Sequence, residues 1–241
     1  MSTPEDRLMA PSEPLALAHA GPGVDAWFFG LERTHAEIEE LTGCLSAAER
    51  TRALRFGTDA LRERWIAGRA TLRMVLGQVL GIAPSAVDIR RGVRGRPELV
   101  DAGAGIDFNV SHTRGVGLIG IARGASTGMR IGVDIERVDR DVGVDRRARK
   151  FLTAAERTSL ADLDLRGRRE RFVRYWTCKE AMSKATGDGL IAPFGRLDVA
   201  LSENPRLVDG PPPYTPAHWA LHSAAVPPAW VATVAIWRPP G

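Results

Sequence analysis

The feature that most constrains the fold is an internal repeat with an offset of 107 residues. Ser46-Ala-Ala-Glu-Arg-Thr aligns with Thr153-Ala-Ala-Glu-Arg-Thr, and Arg62-Glu-Arg-Trp aligns with Arg169-Glu-Arg-Phe, because 153 − 46 and 169 − 62 both equal 107. Ser or Thr followed three residues later by Glu is a capping box, which marks a helix start. The shared offset predicts two similar halves related by a pseudo-two-fold axis, with a ligand-binding cleft between them. Chance similarity in an Ala- and Arg-rich chain is the alternative.

Hydrophobic periodicity and helix stop signals divide the chain further. We expect residues 1–22 to form a mobile leader, 23–125 an N-terminal half and 126–241 a C-terminal half. Long helices are predicted to end at Gly81, from a start near residue 58, and at Gly187. Short strands are predicted at 24–29, 87–90, 106–110, 116–122, 131–136, 199–201, 218–222 and 231–237. The fold class is α/β, in its α+β form, with a small sheet packed on a long helix in each half.

The segment Ile131–Glu136 alternates apolar residues with glycine and two acids, which predicts a strand with one apolar and one acidic face. Asp134 and Glu136 point the same way, with Cα atoms about 6.5–7 Å apart. Their repulsion is unfavourable unless a cation lies nearby. Oxygen ligands without His or Cys suit a hard ion such as Mg2+. A solvated face of an edge strand is the alternative for this segment alone.

The helix that ends at Gly187 carries Trp176, Glu180 and Lys184 at intervals of four residues, along one stripe. A tryptophan at the head of a stripe normally marks the buried side, where an acid and a base need partners. A surface Glu–Lys pair is the alternative. If the stripe faces the acidic strand, Glu180 supplies a third carboxylate and completes a small metal site.

Two further motifs lie in the first half. Residues 90–97 form a turn rich in arginine and glycine, which suits phosphate, although a basic surface loop has the same composition. The strand that begins at Ile106 runs into Asn109-Val-Ser111-His112 and places a hydroxyl and an imidazole at a loop mouth. Because no Gly-x-Ser-x-Gly surrounds Ser111, we do not interpret it as a hydrolase nucleophile, and a structural turn is the alternative.

Composition sets the broad class. The 241 residues are 44% hydrophobic and 26% charged, as in a globular protein, and the formal net charge is +4. The positive charge is scattered arginine, so we expect no nucleic-acid partner. Cys44 and Cys178 form no disulfide framework, and the chain shows neither an apolar run of membrane-spanning length nor a signal peptide. We therefore expect a cytoplasmic protein without membrane attachment.

Five motifs, in order, resemble those of the Sfp-type 4'-phosphopantetheinyl transferases. They are Gly95-Arg-Pro, Phe108-Asn-Val-Ser-His, Gly132-Val-Asp-Ile-Glu, Phe151-Leu and Trp176-Thr-x-Lys-Glu-Ala-x-x-Lys-x-x-Gly-x-Gly-Leu. The resemblance extends from about Arg52 to Leu190. Members of that family have two pseudo-symmetric α/β halves with the active site between them, which agrees with the repeat.

The resemblance implies a reaction in which the phosphopantetheine arm of coenzyme A (CoA) moves to a serine of an acyl or peptidyl carrier protein and 3',5'-ADP leaves. By position, Asp134, Glu136 and Glu180 would hold Mg2+, which also binds the CoA pyrophosphate. Glu180 would also be the general base, directly or through water, and Lys184 would steady the pyrophosphate and the leaving group. These implied catalytic residues all lie in the second half.

The resemblance also implies the residues that contact CoA. They are Arg52, Arg91, Arg94, Gly95, Arg96, Pro97, Asn109, Ser111, His112, Lys179 and Lys184. Arg96 departs from the lysine that many members carry, which keeps the charge but changes the geometry of the contact.

Three other functions compete with this one. A Mg2+-dependent phosphohydrolase of CoA or nucleotides would use the same carboxylates without a protein acceptor, although no Walker loop is present. A non-catalytic module that binds CoA or a carrier would not need three metal ligands. A short, trimeric holo-acyl-carrier-protein synthase is a closer variant, but the length and the repeat favour a monomer. The sequence leaves open whether the carrier belongs to fatty-acid, polyketide or non-ribosomal peptide synthesis.

Overall fold

The structure is a computed structural model that describes residues 11–18, 21–92, 94–100, 105–123, 128–139 and 143–240. The predicted leader lies partly inside this range, and there Leu15–Leu17 form strand β1. This strand pairs antiparallel with the first strand of the following half, so it covers a sheet edge. The predicted boundary between the halves, at residue 125, lies outside the described residues.

In the part of the first half that the structure describes, there are three α-helices and five strands. In chain order they are β2 (Val24–Gly30), α1 (His35–Thr42), α2 (Ala47–Ala53), α3 (Asp59–Leu80), β3 (Ile89–Arg91), β4 (Pro97–Leu99), β5 (Ile106–Thr113) and β6 (Val116–Arg123). The second half follows the same order of elements. It contains β7 (Arg130–Arg137), α4 (Val144–Phe151), α5 (Ala154–Thr158), α6 (Leu165–Thr186), β8 (Asp198–Ala200), β9 (Arg206–Asp209), β10 (Trp219–Ser223) and β11 (Trp230–Trp237).

The predicted two-fold repeat is confirmed by the topology. If the added strand β1 is left out, the strand order is β2-β6-β5 in the first sheet and β7-β11-β10 in the second. In each sheet, the strand that comes first in the chain is therefore next to the strand that comes last. All strand pairs among the described residues are antiparallel, which makes the fold α+β. Both capping boxes form, at Ser46 and Thr153. The long helices α3 and α6 have 22 residues each and end at left-handed glycines, Gly81 and Gly187.

The repeat extends to one buried ion pair in each half. Glu49, in the first capping box, accepts a hydrogen bond from Arg73 of α3 at 2.5 Å, and Glu156, in the second, accepts one from Lys179 of α6 at 2.5 Å. The side chains of Arg73 and Lys179 are 3% and 0% exposed. The offset is 107 for the two glutamates and 106 for the two cations, so the cation on the long helix stands one position earlier in the second half, relative to the repeat. Each pair fastens a short helix to its long helix.

Four layers are packed in the order helix, sheet, sheet, helix. Helix α3 packs on the outer face of the first sheet, around Phe29, Leu72 and Ile121. The inner faces of the two sheets share a second apolar cluster, and α6 packs on the outer face of the second sheet in a third. Strands β5 and β7, from different sheets, lie side by side where the halves meet. This seam, the β5–β7 seam below, joins the two halves.

The limits of several strands were predicted to within a residue or two, but some elements were missed. The strand expected at 87–90 is displaced to Ile89–Arg91 because Pro84–Ala86 form a 3-10 turn before it. Helices α1 and α4 and the short strands β4 and β9 were not predicted. The arginine-rich turn is the tip of the β3–β4 hairpin, so its conformation is fixed by strand pairing on both sides.

Candidate active site

Side chains of β5 join β5 to β7 along the seam. Asp107 Oδ2 and Asn109 Oδ1 accept hydrogen bonds from the backbone amides of β7 at 2.8 Å and 3.0 Å. Further along, Ser111 Oγ donates to Asp134 Oδ1 at 2.8 Å, and Thr113 Oγ1 donates to Glu136 Oε2 at 3.0 Å. These β5 residues alternate in sequence because side chains at i, i+2 and i+4 share a face of a strand. The polar face of β5 therefore holds both predicted acidic residues of β7.

Asp134, Ser111 and Lys184 form the charged centre of the seam. Lys184 Nζ lies 2.6 Å from Asp134 Oδ1 and donates to Ser111 Oγ at 2.8 Å. Asp134 is 4% exposed, and its second oxygen, Oδ2, is buried with no hydrogen-bond partner among the described residues. Lys184 is partly exposed, so its ammonium faces both the buried carboxylate and the open side of the seam. Lys184 of the helix stripe therefore contacts the acidic strand β7.

A glycine on β7 allows α6 to approach this centre. A Cβ atom on Gly132 would lie 1.9 Å from the carbonyl oxygen of Ala181 and 2.6 Å from the amide nitrogen of Ala185, both in the backbone of α6. Only glycine fits there without a shift of the helix. The same helix carries Glu180, which is half-buried, and Lys184. The close packing at Gly132 thus sets the height of both side chains above the strand.

The donor set at the seam consists of oxygen atoms, which suits a hard cation such as Mg2+, and the unsatisfied Oδ2 atom of Asp134 is a vacant acceptor for one. Within the described ranges, however, no group of three or more His, Cys, Asp and Glu side chains is arranged to hold a metal ion. The assignment of Asp134, Glu136 and Glu180 to a metal site therefore stays a prediction. The ammonium of Lys184 supplies the positive charge beside Asp134 instead.

A cavity of about 590 Å³ in the first half opens beside this centre. Thr113, which bonds Glu136, also lines the cavity and so connects the two sites. The lining contains one carboxylate, Glu49, and the following arginines: Arg52, Arg64, Arg69, Arg90, Arg91 and Arg114. Arg52 also lies over the indole ring of Trp65, 5.6 Å from its centroid, so a guanidinium and an aromatic face stand together in the wall. Such a lining favours an anionic ligand with several phosphates.

His112 lies in the cavity wall with its ring open to the cavity but enclosed on the protein side. The ring packs edge-on to Phe29 at 5.9 Å between centroids, and a Cβ atom on Gly68 would lie 2.9 Å from Nε2. Desolvation by these neighbours, with a smaller contribution from the Lys184 ammonium, lowers the pKa of His112 to about 4. The imidazole is therefore neutral at pH 7 and can accept or donate one hydrogen bond.

Seven of the eleven predicted CoA contacts lie outside the cavity lining. Three of these seven, Lys179, Arg96 and Asn109, are buried and bonded elsewhere. Lys179 is fully buried on the far face of α6 and donates to Glu156 and to the carbonyl oxygens of Phe151 and Phe194, at 2.5, 2.9 and 2.8 Å. Burial lowers the pKa of Lys179 and raises the pKa of Glu156, because it disfavours the charged form of both groups. The three hydrogen bonds of Lys179 offset this cost. This placement conflicts with a phosphate contact by Lys179.

Arg96 and Asn109 are likewise buried and already bonded. The Arg96 guanidinium forms a two-armed ion pair with Asp107, both bonds being 2.8 Å long. Asn109 serves the β7 backbone in the seam. Arg94 forms an ion pair with Asp188, and Gly95 supplies the left-handed turn residue between the two arginines, with φ of 78°. Of the predicted contacts, those that line the cavity are Arg52, Arg91, Pro97 and His112.

Several residues of the site were not predicted from the sequence. Asp107 and Thr113 lie on the same face of β5 as Asn109 and Ser111, so the period of two was a usable signal. Arg64 and Arg69 of α3 gave no such signal, because only the packing of α3 against the first sheet shows which face of the helix lines the cavity.

Comparison with known proteins identifies the family. Residues 32–120 match the N-terminal region of 4'-phosphopantetheinyl transferases, and residues 130–235 match the 4'-phosphopantetheinyl transferase superfamily. The 4'-phosphopantetheinyl transferase HetI of Nostoc sp. is 34% identical over 224 residues, 90% of each chain. A putative 4'-phosphopantetheinyl transferase of Synechocystis sp. is 34% identical over 147 residues, 61% of this chain and 58% of that protein.

Among solved structures, the holo-(acyl-carrier-protein) synthase from Bacillus anthracis str. Ames in complex with CoA (3',5'-ADP) overlaps 46% of this chain and 96% of that chain, with a TM-score of 0.35 and 20% identity. The match to the Nostoc protein, over 90% of each chain, decides the family. The chain belongs to the Sfp-type 4'-phosphopantetheinyl transferases and is an enzyme of that family. Of the helices in the described ranges, none has the length and apolar character needed to span a bilayer.

Proposed function

We propose that this enzyme transfers the phosphopantetheine arm of CoA to a serine of an apo carrier protein and releases 3',5'-ADP. The observation that carries the proposal is the junction between the arginine-lined cavity and the charged centre of the seam, formed by Thr113 and His112 on the cavity side and Asp134 with Lys184 on the other. A polyanion bound in the cavity can extend to the seam at this junction. A single chain supplies both sides, so a second copy is not needed to complete the site, and we propose a monomer.

The cavity suits the nucleotide end of CoA. Its arginines offer planar donors that match phosphate oxygens, and Trp65 offers an aromatic face. We assign the 3'-phosphate and the adenosine to this cavity. The neutral ring of His112 and the hydroxyl of Ser111 then lie on consecutive residues of β5, one on each face of the strand. The His112 ring is suited to donate a hydrogen bond to the pyrophosphate where it passes from the cavity to the seam, while the Ser111 hydroxyl holds Asp134 and Lys184 together beside it.

We further propose that Asp134, Glu136 and Glu180 hold Mg2+ during the reaction. When bound, the metal neutralises charge on the pyrophosphate and orients the transferred group. The buried and unsatisfied Oδ2 atom of Asp134 supports this assignment. The ammonium of Lys184 lies beside Asp134 in the seam. From there it can reach the pyrophosphate oxygens of bound CoA. There it would stabilise the charge that develops on the leaving ADP.

Glu180 is the proposed general base. It is half-buried on the same stripe of α6 as Lys184, so a carrier serine that enters the seam can meet its carboxylate. The serine Oγ attacks the phosphorus that bears the pantetheine arm, the bond from that phosphorus to the bridging oxygen of ADP breaks, and Glu180 takes the serine proton. The electron pair of the broken bond leaves with 3',5'-ADP. The atoms and the charges balance without a further reactant.

Mass spectrometry of a panel of apo carriers tests the proposal. The carriers from fatty-acid, polyketide and non-ribosomal peptide synthesis are incubated with CoA and Mg2+, and then again with a chelator. We expect at least one carrier to gain the mass of one phosphopantetheine arm, only in the presence of the metal. Hydrolysis of CoA without any acceptor would instead support the phosphohydrolase, and binding of CoA without either product would support the non-catalytic module.

A further inference from the structure

Arg96 is buried where the two halves meet, and the proposed reaction gives it no part. Its side chain is 6% exposed and lies outside the cavity lining. Four of its five N–H donors are used. Two bind Asp107, one donates to the carbonyl oxygen of Ile131 at 2.7 Å, and one donates from Nε to the carbonyl oxygen of Lys184 at 3.1 Å. One guanidinium thus joins the hairpin of the first half to β7 and α6 of the second.

At β7, the pair of Arg96 and Asp107 substitutes for a neighbouring strand. Asp107 Oδ2 accepts the amide of Ile131 at 2.8 Å, while Arg96 donates to the carbonyl of the same residue. Both backbone groups lie on the edge of β7 that faces β5, where backbone pairing is replaced by side chains. Without the pair, these two buried backbone groups would lose their partners, so this edge depends on the pair for its position. Three residues along, the same strand presents Asp134.

At α6, Arg96 satisfies a carbonyl that the helix itself cannot. The last four carbonyls of a helix lack intrahelical partners, and α6 ends at Thr186, so Lys184 is among them. A cation at this end also complements the negative end of the helix dipole. The bond is made to the backbone of Lys184, the residue whose side chain meets Asp134. A displacement of this bond moves the ammonium relative to the carboxylate.

The same hairpin tip contacts the end of α6 at a second point. Arg94 forms an ion pair with Asp188, just beyond the helix, and Asp188 is held in turn by the hydroxyl of Tyr214 at 2.6 Å. Arg94 is more than half exposed, so its bond is screened by solvent and weaker than that of Arg96. The hairpin tip therefore holds the helix end chiefly through the buried guanidinium.

We propose that Arg96 is a positioning residue that fixes Lys184 against Asp134 by holding the end of α6 to the edge of β7, and that it does not contact CoA. The inference rests on the proposed transfer from CoA. It predicts that loss of Arg96 lowers kcat, because the charged centre is displaced, and leaves the KM for CoA nearly unchanged, because the cavity is intact.

The test compares Arg96→Lys with the double variant Arg96→Met/Asp107→Asn, which removes both charges and so leaves neither unpaired. Leu160→Ala, in the apolar cluster of the second half, is the control for lost stability. Assays are made well below every unfolding midpoint. We expect kcat of the double variant to fall by about tenfold or more, with KM for CoA within about twofold of the wild type, because small displacements of reacting groups are costly. The kcat of Arg96→Lys should lie between the kcat of the double variant and that of the wild type. Leu160→Ala should keep the wild-type kcat.

Amide hydrogen exchange supplies a readout that does not depend on the reaction. Amides in the last turn of α6 and at Ile131 should exchange faster in the double variant and remain unchanged in Leu160→Ala. A raised KM for CoA with unchanged kcat, or exchange equal to that of the wild type, would overturn the inference. If the wild type itself transfers nothing from CoA, the proposed function fails, and the exchange data still decide whether Arg96 positions the helix end.

Discussion

The close packing of α6 on β7 provides the sharpest prediction, and Gly132→Ala is the perturbation. The added Cβ would lie 1.9 Å from the carbonyl oxygen of Ala181, against about 3.4 Å for an ordinary contact, so the helix has to retreat by up to about 1.5 Å. A retreat of that size would lengthen the bond from Lys184 Nζ to Asp134 Oδ1 from 2.6 Å to about 4 Å, beyond hydrogen-bond range.

Two effects of Gly132→Ala follow. Overpacking of this kind costs about 1–3 kcal/mol, which urea unfolding measures. A misplacement of about 1 Å in a catalytic centre costs about a hundredfold in rate, which is read from the transfer rate to an apo carrier. Gly57→Ala is the matched control, because nothing lies within 4 Å of its added Cβ. Wild-type kcat in Gly132→Ala would refute the idea that this contact sets the geometry of the charged centre.

Three further predictions concern single side chains. Lys179→Met leaves Glu156 buried without the ammonium that pairs with it, and should lower the free energy of unfolding by about 3–5 kcal/mol in urea titrations. Unchanged stability with a raised KM for CoA would instead support a phosphate contact by Lys179. Arg52→Met removes one cavity guanidinium and should raise the KM for CoA about tenfold, the equivalent of one charge-assisted bond, in steady-state kinetics; an unchanged KM would place CoA elsewhere. His112 should titrate by NMR with a pKa of about 4 in the free protein, and the pKa should rise when CoA is added, since phosphate favours the protonated ring; no response to CoA would remove His112 from the site.

The sequence was informative where a single residue type decides local structure. The helix ends at Gly81 and Gly187 were predictable because glycine adopts the left-handed conformation freely. The capping boxes at Ser46 and Thr153 were equally predictable from the sequence, and they led to the prediction of the two-fold repeat. Helix α1 carries the same signal, Thr34 with Glu37, and was missed although its capping box is fully formed.

The sequence was least informative about which way a charged side chain turns. Arg96 stands in a motif that resembles a phosphate-binding turn, yet it faces inward because Asp107, on another strand, offers a buried carboxylate. Lys179 is next to Glu180 in sequence, but successive helix residues point about 100° apart, so Lys179 lies in the core while Glu180 is half-buried. These assignments depend on tertiary neighbours, which no local pattern contains.

The most direct test of the account is the stoichiometry of transfer. Wild-type enzyme and Glu180→Gln are incubated with Mg2+, CoA and one apo carrier, and both the carrier mass and free 3',5'-ADP are quantified. The account predicts one ADP released for each carrier modified by the wild type, and neither product from Glu180→Gln. Release of ADP without a modified carrier, or full transfer by Glu180→Gln, would contradict it.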